Sequence, residues 1–481
     1  MSEKVAISLQ ELAGKYQPYP EYKGSGVEWL GNIPSHWQTS KLRYMFTFGK
    51  GLSITKENLH DDGIPCVNYG EIHSKYGFEV DPTQHLLKCV DESYLKTSPK
   101  SLLKIGDFVF SDTSEDLDGS GNFTQLTSDV MTFAGYHTII VRPIDRHGYR
   151  FFAYLFDSKE FRTAIQHAVK GVKVFSITQA ILRGADIWLP SSEERQQIVT
   201  FLDHETARID QLITKQQQLI ELLKEKRQAV ITQAVTRGLN PKVPMKNAGV
   251  EWLEQVPEHW TVTTLRNLIR AEAVILQDGN HGELHPTASE YVDDGIPFLM
   301  ANNVRDGRVN LTDCKRISKN RADMLRIGFA KAGDMLLTHK GTVGEVAMIP
   351  ADISEPYWML TPQVTYYRWA EDKFDAAFYM YQFQSKSILT QLDIIGSKQS
   401  TRAYVGLIAQ GDLVVTVPPI MEQRAIREEL RKHAERFDRM FARATGLIEL
   451  LQERRTALIS AAVTGKIDLR GWTPPAEEVA A

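Results

Sequence analysis

Apolar residues fall into two patterns along this chain. In two long stretches they recur every three to four positions, and elsewhere they come in short runs between turn-forming residues. From Ser191 to Arg237 there is no Gly or Pro, and Leu202, Ile209, Leu212, Leu219, Leu223 and Val230 step through the stretch at heptad spacing. Ile420 to Thr464 has no Pro and one glycine, Gly446, and Leu430, Phe437, Met440, Leu447, Leu451 and Leu458 take the same places. A period of 3.5 describes a helix whose apolar seam needs a partner helix. At 1.5 Å per residue, roughly 44 residues give a rod about 65 Å long, more than one domain of this size covers. Two such rods in one chain pair most simply with each other.

Connectivity predicts their direction. The first helix leaves one domain and leads to the next; the second leaves that next domain and lies along the first only by running back. The pair is therefore expected to be antiparallel. Both seams have polar breaks at matched places, Glu205 with His433 and Lys226 with Arg454. Such residues either fix register or reach out from the seam edge to water.

The short apolar runs read as strands. Phe108-Val109-Phe110, Thr138-Ile139-Ile140-Val141, Met335-Leu336-Leu337 and Leu413-Val414-Val415 are β-branched or aromatic and lie between turn signals. Strands ending at Leu189-Pro190 and Val417-Pro418 lead directly into the two helices.

The same order of elements occurs twice, and so do the residues. Gly26-Val27-Glu28-Trp29-Leu30, Pro34 and His36-Trp37 return as Gly249-Val250-Glu251-Trp252-Leu253, Pro257 and His259-Trp260. Asp61-Asp62-Gly63-Ile64-Pro65 returns as Asp293-Asp294-Gly295-Ile296-Pro297, and Gly106-Asp107 as Gly333-Asp334. Leu219-Ile220-Glu221-Leu222-Leu223 returns as Leu447-Ile448-Glu449-Leu450-Leu451, an offset of 228 that holds through Ala234-Val235-Thr236 and Ala462-Val463-Thr464. A period this long is a duplicated domain pair, not a solenoid. The expected fold class is α+β: two similar mixed α/β domains separated by two long antiparallel coiled-coil helices. The arrangement would be pseudo-two-fold and near-circular, the chain almost closing if Thr464-Gly465-Lys466 met Tyr16. The expected division is an N-terminal extension over 1–24, a first domain over 25–190, a first long helix over 191–237, a linker over 238–248, a second domain over 249–418, a second long helix over 419–465 and a tail over 466–481.

Composition narrows the function classes. The chain has 481 residues, 42% hydrophobic and 24% charged, which fits a multidomain globular protein and neither wholesale disorder nor a membrane protein. No apolar run approaches the roughly 20 residues that span a bilayer, and Met1 to Gln10 lacks the pattern of a signal peptide. Cys66, Cys89 and Cys314 are odd in number and not spaced as zinc ligands, so they read as small buried apolar residues in a reducing cytoplasm. A net charge of −4 argues against unspecific polyanion binding but permits a local grip on DNA.

Two unlike domains on a rigid spacer form a ruler. Duplex DNA presents equivalent groove faces about 34 Å apart, one helical turn, so two spaced readers would recognise a split sequence with an unread gap. A plain coiled-coil scaffold has the same outline. The Gly-Val-Glu-Trp-Leu…Pro-x-His-Trp openings, Leu-Asn-Pro-x-Val-Pro-Met-Lys at 239–246, Gly-Asp-Met-Leu-Leu-Thr-x-Lys-Gly-Thr-Val-Gly at 333–344, Pro-Pro-x-x-Glu-Gln at 418–423 and Val-Thr-Gly-Lys-Ile-Asp-x-Arg-Gly-Trp at 463–472 together resemble the specificity subunits of type I restriction-modification systems. The resemblance covers nearly the whole chain, twice over. It implies a non-catalytic subunit with two target recognition domains that reads double-stranded DNA in a prokaryotic cytoplasm. It implies two modification subunits that use S-adenosylmethionine to methylate adenine, and restriction subunits that use ATP and Mg. No cofactor or metal is expected in this chain.

The sequence offers no catalytic signature of its own. Its Pro-Pro pairs, Pro418-Pro419 and Pro474-Pro475, lack the preceding Asn or Asp of an amino-methyltransferase loop, and Gly465-Lys466 lacks the upstream glycine of a phosphate-binding loop. A self-sufficient restriction or modification enzyme is the rival reading and would need such a signature. Candidate DNA-contacting residues in the second domain are Asn302, Asn303 and Arg305, whose amide and guanidinium groups match adenine and guanine edges, though an Asn-Asn turn is the bland alternative. Thr338, Lys340 and Thr342 follow a strand, and Lys398, Gln399, Ser400, Thr401 and Arg402 form a polar basic loop suited to phosphate and base contact. The first domain is acidic, with Asp112, Glu115, Asp116 and Asp118 together, which repels phosphate unless it accepts from cytosine amino groups or faces away. Its candidates are Asn68, Lys75, Tyr76, Lys170 and Lys173, with Arg142, Arg146 and Arg150 as further cations. The recurring Trp29, Trp37, Trp252 and Trp260 are expected to be structural, because reading residues should differ between halves.

Overall fold

A computed structural model describes residues 16–169, 175–397 and 404–475. The chain divides into two compact units, one comprising Met1–Gln216 and Gly446–Ala481, the other Gln217–Thr445. The division cuts both long helices, Ser192–Arg237 and Ile420–Val463, near their middles.

The first unit is built on a five-stranded sheet in the order Phe46–Lys50, Thr138–Pro143, Phe108–Ser111, Phe123–Leu126, Phe78–Val80. Helix Tyr149–Asp157 packs its aromatic face against it: Phe46 and Phe152 meet edge to face at 4.9 Å, and Phe108 and Phe156 at 5.0 Å. The second unit repeats the scheme with strands Val274–Asp278, Val364–Trp369, Met335–Lys340 and Thr342–Met348 in that order. A smaller sheet flanks each: Phe133–Ala134 runs parallel to Ile64–Val67 in the first unit, and Trp358–Leu360 parallel to Ile296–Leu299 in the second. The expected strands are present, and those ending at Leu189 and Val417 pair with Gln38–Lys41 and Thr261–Thr264.

Each unit contains one end of the helix pair, and both ends run antiparallel. In the first, Ile198, Leu202 and Ile209 share a buried cluster with Leu458, Ala462 and Val463, and Arg455 meets Asp210 at 3.1 Å. In the second, Ile231 and Val235 share a cluster with Ile426 and Leu430, and Arg227 meets Asp438 at 3.6 Å. The two ion pairs are the same pair 228 residues apart. Glycines at positive φ follow both helices, Gly238 at 75° and Gly465 at 69°, a left-handed position that suits glycine after a helix.

The seam corrects one expectation. Leu202, Ile209, Leu223, Leu430, Phe437 and Leu458 are buried, and Val230 and Leu451 half-buried, but Leu212, Leu219, Met440 and Leu447 are 40, 39, 37 and 42% exposed. Along the chain these four flank the two points, 216/217 and 445/446, at which the units divide. Lys226 and Arg454 face water and Glu205 is buried, so the basic breaks are snorkelling side chains.

The expected near-closure of the chain occurs within the first unit. The Asp468 amide donates to the Gln17 carbonyl at 2.7 Å and the Tyr22 hydroxyl to the Gly465 carbonyl at 2.9 Å. Strand Tyr22–Gly24 pairs with Asn32–Pro34 as Met245–Asn247 pairs with Gln255–Pro257. Residues after the second helix together with those from Tyr16 onward thus repeat what the linker after the first helix does in one piece. Cys66 and Cys89 are buried and Cys314 half-buried, all as free thiols. Among the described residues no helix is long and apolar enough to cross a membrane.

Candidate nucleic-acid interface

The repeated motifs prove to be framework. Trp37 and Trp260 are fully buried. Trp37 Nε1 donates to Glu194 at 3.1 Å and Trp260 Nε1 to Glu422 at 3.0 Å, with His36 and His259 on the same carboxylates at 2.9 and 2.8 Å. Each opening motif therefore clamps the first turn of a long helix, where a carboxylate also complements the helix dipole. Tyr19 adds a third donor to Glu194 in the first unit at 2.6 Å, and burial beside that carboxylate pushes the Tyr19 hydroxyl well above the usual phenol range. Trp29 and Trp252 are 39 and 37% exposed, so only the second tryptophan of each opening is core.

The Gly-Asp motif is a second clamp. Buried Asp107 accepts from the Lys104 amide at 2.9 Å and pairs with Arg142 and Arg146; buried Asp334 accepts from the Lys331 amide at 2.7 Å and pairs with Arg368. In the Asp-Asp-Gly turns a Cβ on Gly63 would lie 2.5 Å from the Val90 carbonyl oxygen, and one on Gly295 2.4 Å from that of Ile317. Only glycine fits there.

Beyond the framework, one edge of each main sheet has the same backbone construction. In the second unit the His339 amide donates to the Gln363 carbonyl and the Val405 amide to the His339 carbonyl, both at 2.9 Å, and Lys340 bridges Tyr404. In the first unit the Asp112 amide donates to the His137 carbonyl at 3.1 Å, the Ile177 amide to the Asp112 carbonyl at 2.8 Å, and Thr113 pairs with Ser176. Three segments meet at each edge: the end of a central strand, the start of its neighbour and a returning segment. The edges differ in the connection that leaves the central strand. The second unit turns tightly through Gly341, at φ 85°, whereas the first makes a longer excursion, over 112–122, that carries the acidic residues.

Several predicted contact residues stand at this edge and several do not. Lys340 and Thr342 flank the exposed turn. Asn302 is exposed on a short 3-10 helix, and Arg305 is exposed with Glu345 3.4 Å away. Asn303 is corrected to a turn residue: it is 4% exposed, accepts from the Met300 amide at 2.8 Å and donates to the Asn310 carbonyl at 3.0 Å. Thr338 is corrected likewise, being fully buried with its hydroxyl accepting from the Glu345 amide at 3.0 Å. Asn68 is 1% exposed, donates to the Cys66 carbonyl at 3.3 Å and accepts from the Tyr136 amide. Lys75 is exposed; Tyr76 is half-buried, donating to the Leu86 carbonyl at 2.9 Å with its ring stacked on His85. Arg142, Arg146 and Arg150 are tied to Asp107, Glu79 and Asp203 and are not free cations. Lys170, Lys173, Lys398, Gln399, Ser400, Thr401 and Arg402 lie outside the described residues.

The sequence reading missed Gln363 and His137. Both are exposed and sit one residue ahead of a repeated central strand. Aligning the halves strand by strand would have exposed them as polar positions whose identity changes on a constant scaffold.

His339 is fully buried, and burial holds its imidazole below the ordinary value of 6.5 while Asp278 opposes that shift. Its Nδ1 lies 3.2 Å from the Val405 carbonyl. In the second unit a cleft of about 750 Å³ opens between the helices and the strand Thr342–Met348, lined by Lys224, Arg227 and Arg308 and equally by Asp306, Glu345 and Asp438.

Residues 34–222 match the type I restriction modification DNA specificity domain. The chain is 24% identical over 290 residues to the type I restriction enzyme EcoBI specificity subunit of Escherichia coli, covering 59% of this chain and 58% of that one. It is 23% identical over 314 residues to the EcoKI specificity subunit of Escherichia coli strain K12, covering 64 and 62%. The matched stretch is thus less than two thirds of either relative's length. A solved chain described under complex assembly and conformational transition of the type I R-M system aligns over 90% of this chain and 99% of its own, at 15% identity and a TM-score of 0.63, which shows a shared fold. Residues 34–222 thus match a type I restriction modification DNA specificity domain, and the chain is similar in sequence to type I specificity subunits and shares its fold with a chain of the type I R-M system.

Proposed function

We propose that the chain reads a bipartite DNA sequence, one half-site per unit, and directs partner subunits to it. The observation that carries this reading is the pair of matching sheet edges: one backbone construction, occurring twice, with different exposed polar side chains. A spacer or scaffold has no use for that divergence, whereas a reader of two unlike half-sites needs it. The recognition domains would be 25–190 and 249–418, with 191–237 and 419–465 as spacer helices. Lys75, Tyr76, Asn302, Arg305, Lys340 and Thr342, with Lys170, Lys173 and residues 398–402, are the proposed DNA-contacting set.

The partners in this reading are two modification subunits, which bind S-adenosylmethionine and methylate adenine, and restriction subunits that use ATP and Mg. The complex would work in a prokaryotic cytoplasm, and this chain would contribute recognition and no catalysis. Methylome sequencing of the host with and without the gene tests it. Deletion is expected to erase one methyladenine motif with an unread gap; loss of no motif, or of an ungapped one, defeats the reading. Lengthening both helices by one heptad is expected to change the gap and leave the half-sites intact.

A further inference from the structure

We propose that the two sheet edges read bases with opposite hydrogen-bonding character: the first unit accepts, through Asp112 beside His137, and the second donates, through Lys340 beside Gln363. The proposal deepens, and rests on, the DNA-reading function above.

At both edges the backbone hydrogen bonds hold the equivalent residues in the same relation. Asp112 and His339 each donate to the start of the neighbouring strand and accept from the returning segment. The residues that clamp the framework recur between the units: Trp37 with Trp260, Glu194 with Glu422, Asp107 with Asp334. The residues exposed at the edge do not recur. His137 stands where the second unit has Gln363, and Thr113 where it has Lys340. A constant scaffold with divergent exposed polar groups is the arrangement that reads different sequences with one geometry.

The chemistry of those groups sets what each edge recognises. A carboxylate only accepts hydrogen bonds, an ammonium only donates, and a carboxamide does both. In the major groove a carboxylate matches an amino group, that of cytosine foremost, whereas Lys matches the N7 and O6 acceptors of guanine and Gln the edge of adenine. His137 Nδ1 lies 3.1 Å from one Asp112 oxygen, and the two side chains are 55 and 35% exposed. The pair is therefore oriented yet reachable. Tyr69, with its ring 5.5 Å from His137 and 5.6 Å from Tyr136, walls the same edge. The remaining acidic residues of the excursion play no part in this contact; Asp116 caps its own turn through the Gly119 amide at 2.6 Å. The acidity of the first unit thus becomes a reading chemistry instead of an obstacle.

The test is methylome sequencing of the host carrying the full-length gene at its own locus, as wild type, deletion, Asp112→Asn and Gln363→Ala. Asp112→Asn is expected to broaden one base position in one half of the motif. Gln363→Ala is expected to broaden one position in the other half. Discrimination at the affected position should fall about tenfold or more, the range of one base-edge contact. If deletion erases a gapped motif but both variants leave it unbroadened, or both broaden the same half, the proposal is wrong while the function stands. If deletion erases no motif, the function itself fails. Loss of all methylation with wild-type amounts of soluble protein would make Asp112 a general affinity or assembly residue and overturn the assignment. Asp112→Ser, which keeps a small polar group in the turn, replaces Asp112→Asn if that variant does not accumulate, and an unchanged motif in it overturns the proposal equally.

Discussion

The two units place the same arginine–aspartate pair between their long helices but surround it differently. In the first, Arg455 is held by Asp157 at 3.3 Å as well as by Asp210, and the Phe78 ring covers it at 5.6 Å. In the second, Arg227 lines an open cleft and shares Asp438 with Arg308, itself 83% exposed. The helix clamp shows the same contrast: Glu194 is 4% exposed with three donors, Glu422 28% exposed with two. The duplicated sequence therefore sets which groups meet, while the surrounding partners and, at the clamp, the burial of the carboxylate set how much each meeting contributes. A charged contact closed off from water is worth more, and costs more when broken, than one that water can replace.

The common framework is the place where the comparison should not break. Trp37→Ala and Trp260→Ala each remove a fully buried ring and are expected to cost about 3–5 kcal/mol, measured by denaturant unfolding of the full chain. A much smaller loss in either would mean that the clamp is not shared. The carboxylates should then separate the units. Glu194→Ala strands buried donors from Trp37 and Tyr19 and is expected to cost about 2–3 kcal/mol, against about 1 kcal/mol for Glu422→Ala where water can enter. Equal losses would erase the contrast.

In the second unit a pH effect is expected from His339. His339 is held below its ordinary value of 6.5 by burial, so the unfolded chain binds a proton that the folded one does not. Its contribution is complete above pH 6.5 and is lost as pH falls through the lower folded-state value. The stability difference between wild type and His339→Gln is expected to shrink between pH 7 and pH 5. A constant difference would remove the buried imidazole from the account. The smallest effect is expected at the helix ion pair: Arg227→Ala should change stability by about 0–1 kcal/mol because its half-exposed partner Asp438 is shared with Arg308, and Arg455→Ala by more because Asp157 holds it as well as Asp210.

Much of the fold was legible because it rests on repetition and period. The heptads of Leu202 and Leu430, the prolines at Pro190 and Pro418 and the doubled motifs each act locally, and their common order, with a constant offset of 228 from the prolines through the helices, made them mutually consistent. The site was less legible. Asn68, Asn303 and Thr338 have the chemistry of base readers but occupy strand ends and tight turns, where nearby backbone groups take their hydrogen bonds. Arg142 and Arg146 read as free cations because their partner, Asp107, is distant along the chain.

The sequence by itself determined that there are two similar α+β units, that two long helices pair antiparallel, and which motifs recur. These depend on spacing and connectivity, not on side-chain direction. Only the tertiary structure decided that the middle of the helix seam is exposed, that Trp37 and Trp260 hold helix carboxylates, and that Asp112 with His137 and Lys340 with Gln363 stand at equivalent sheet edges. Those facts depend on which segments distant in the chain come within hydrogen-bonding reach, and the order of residues along a chain does not state that.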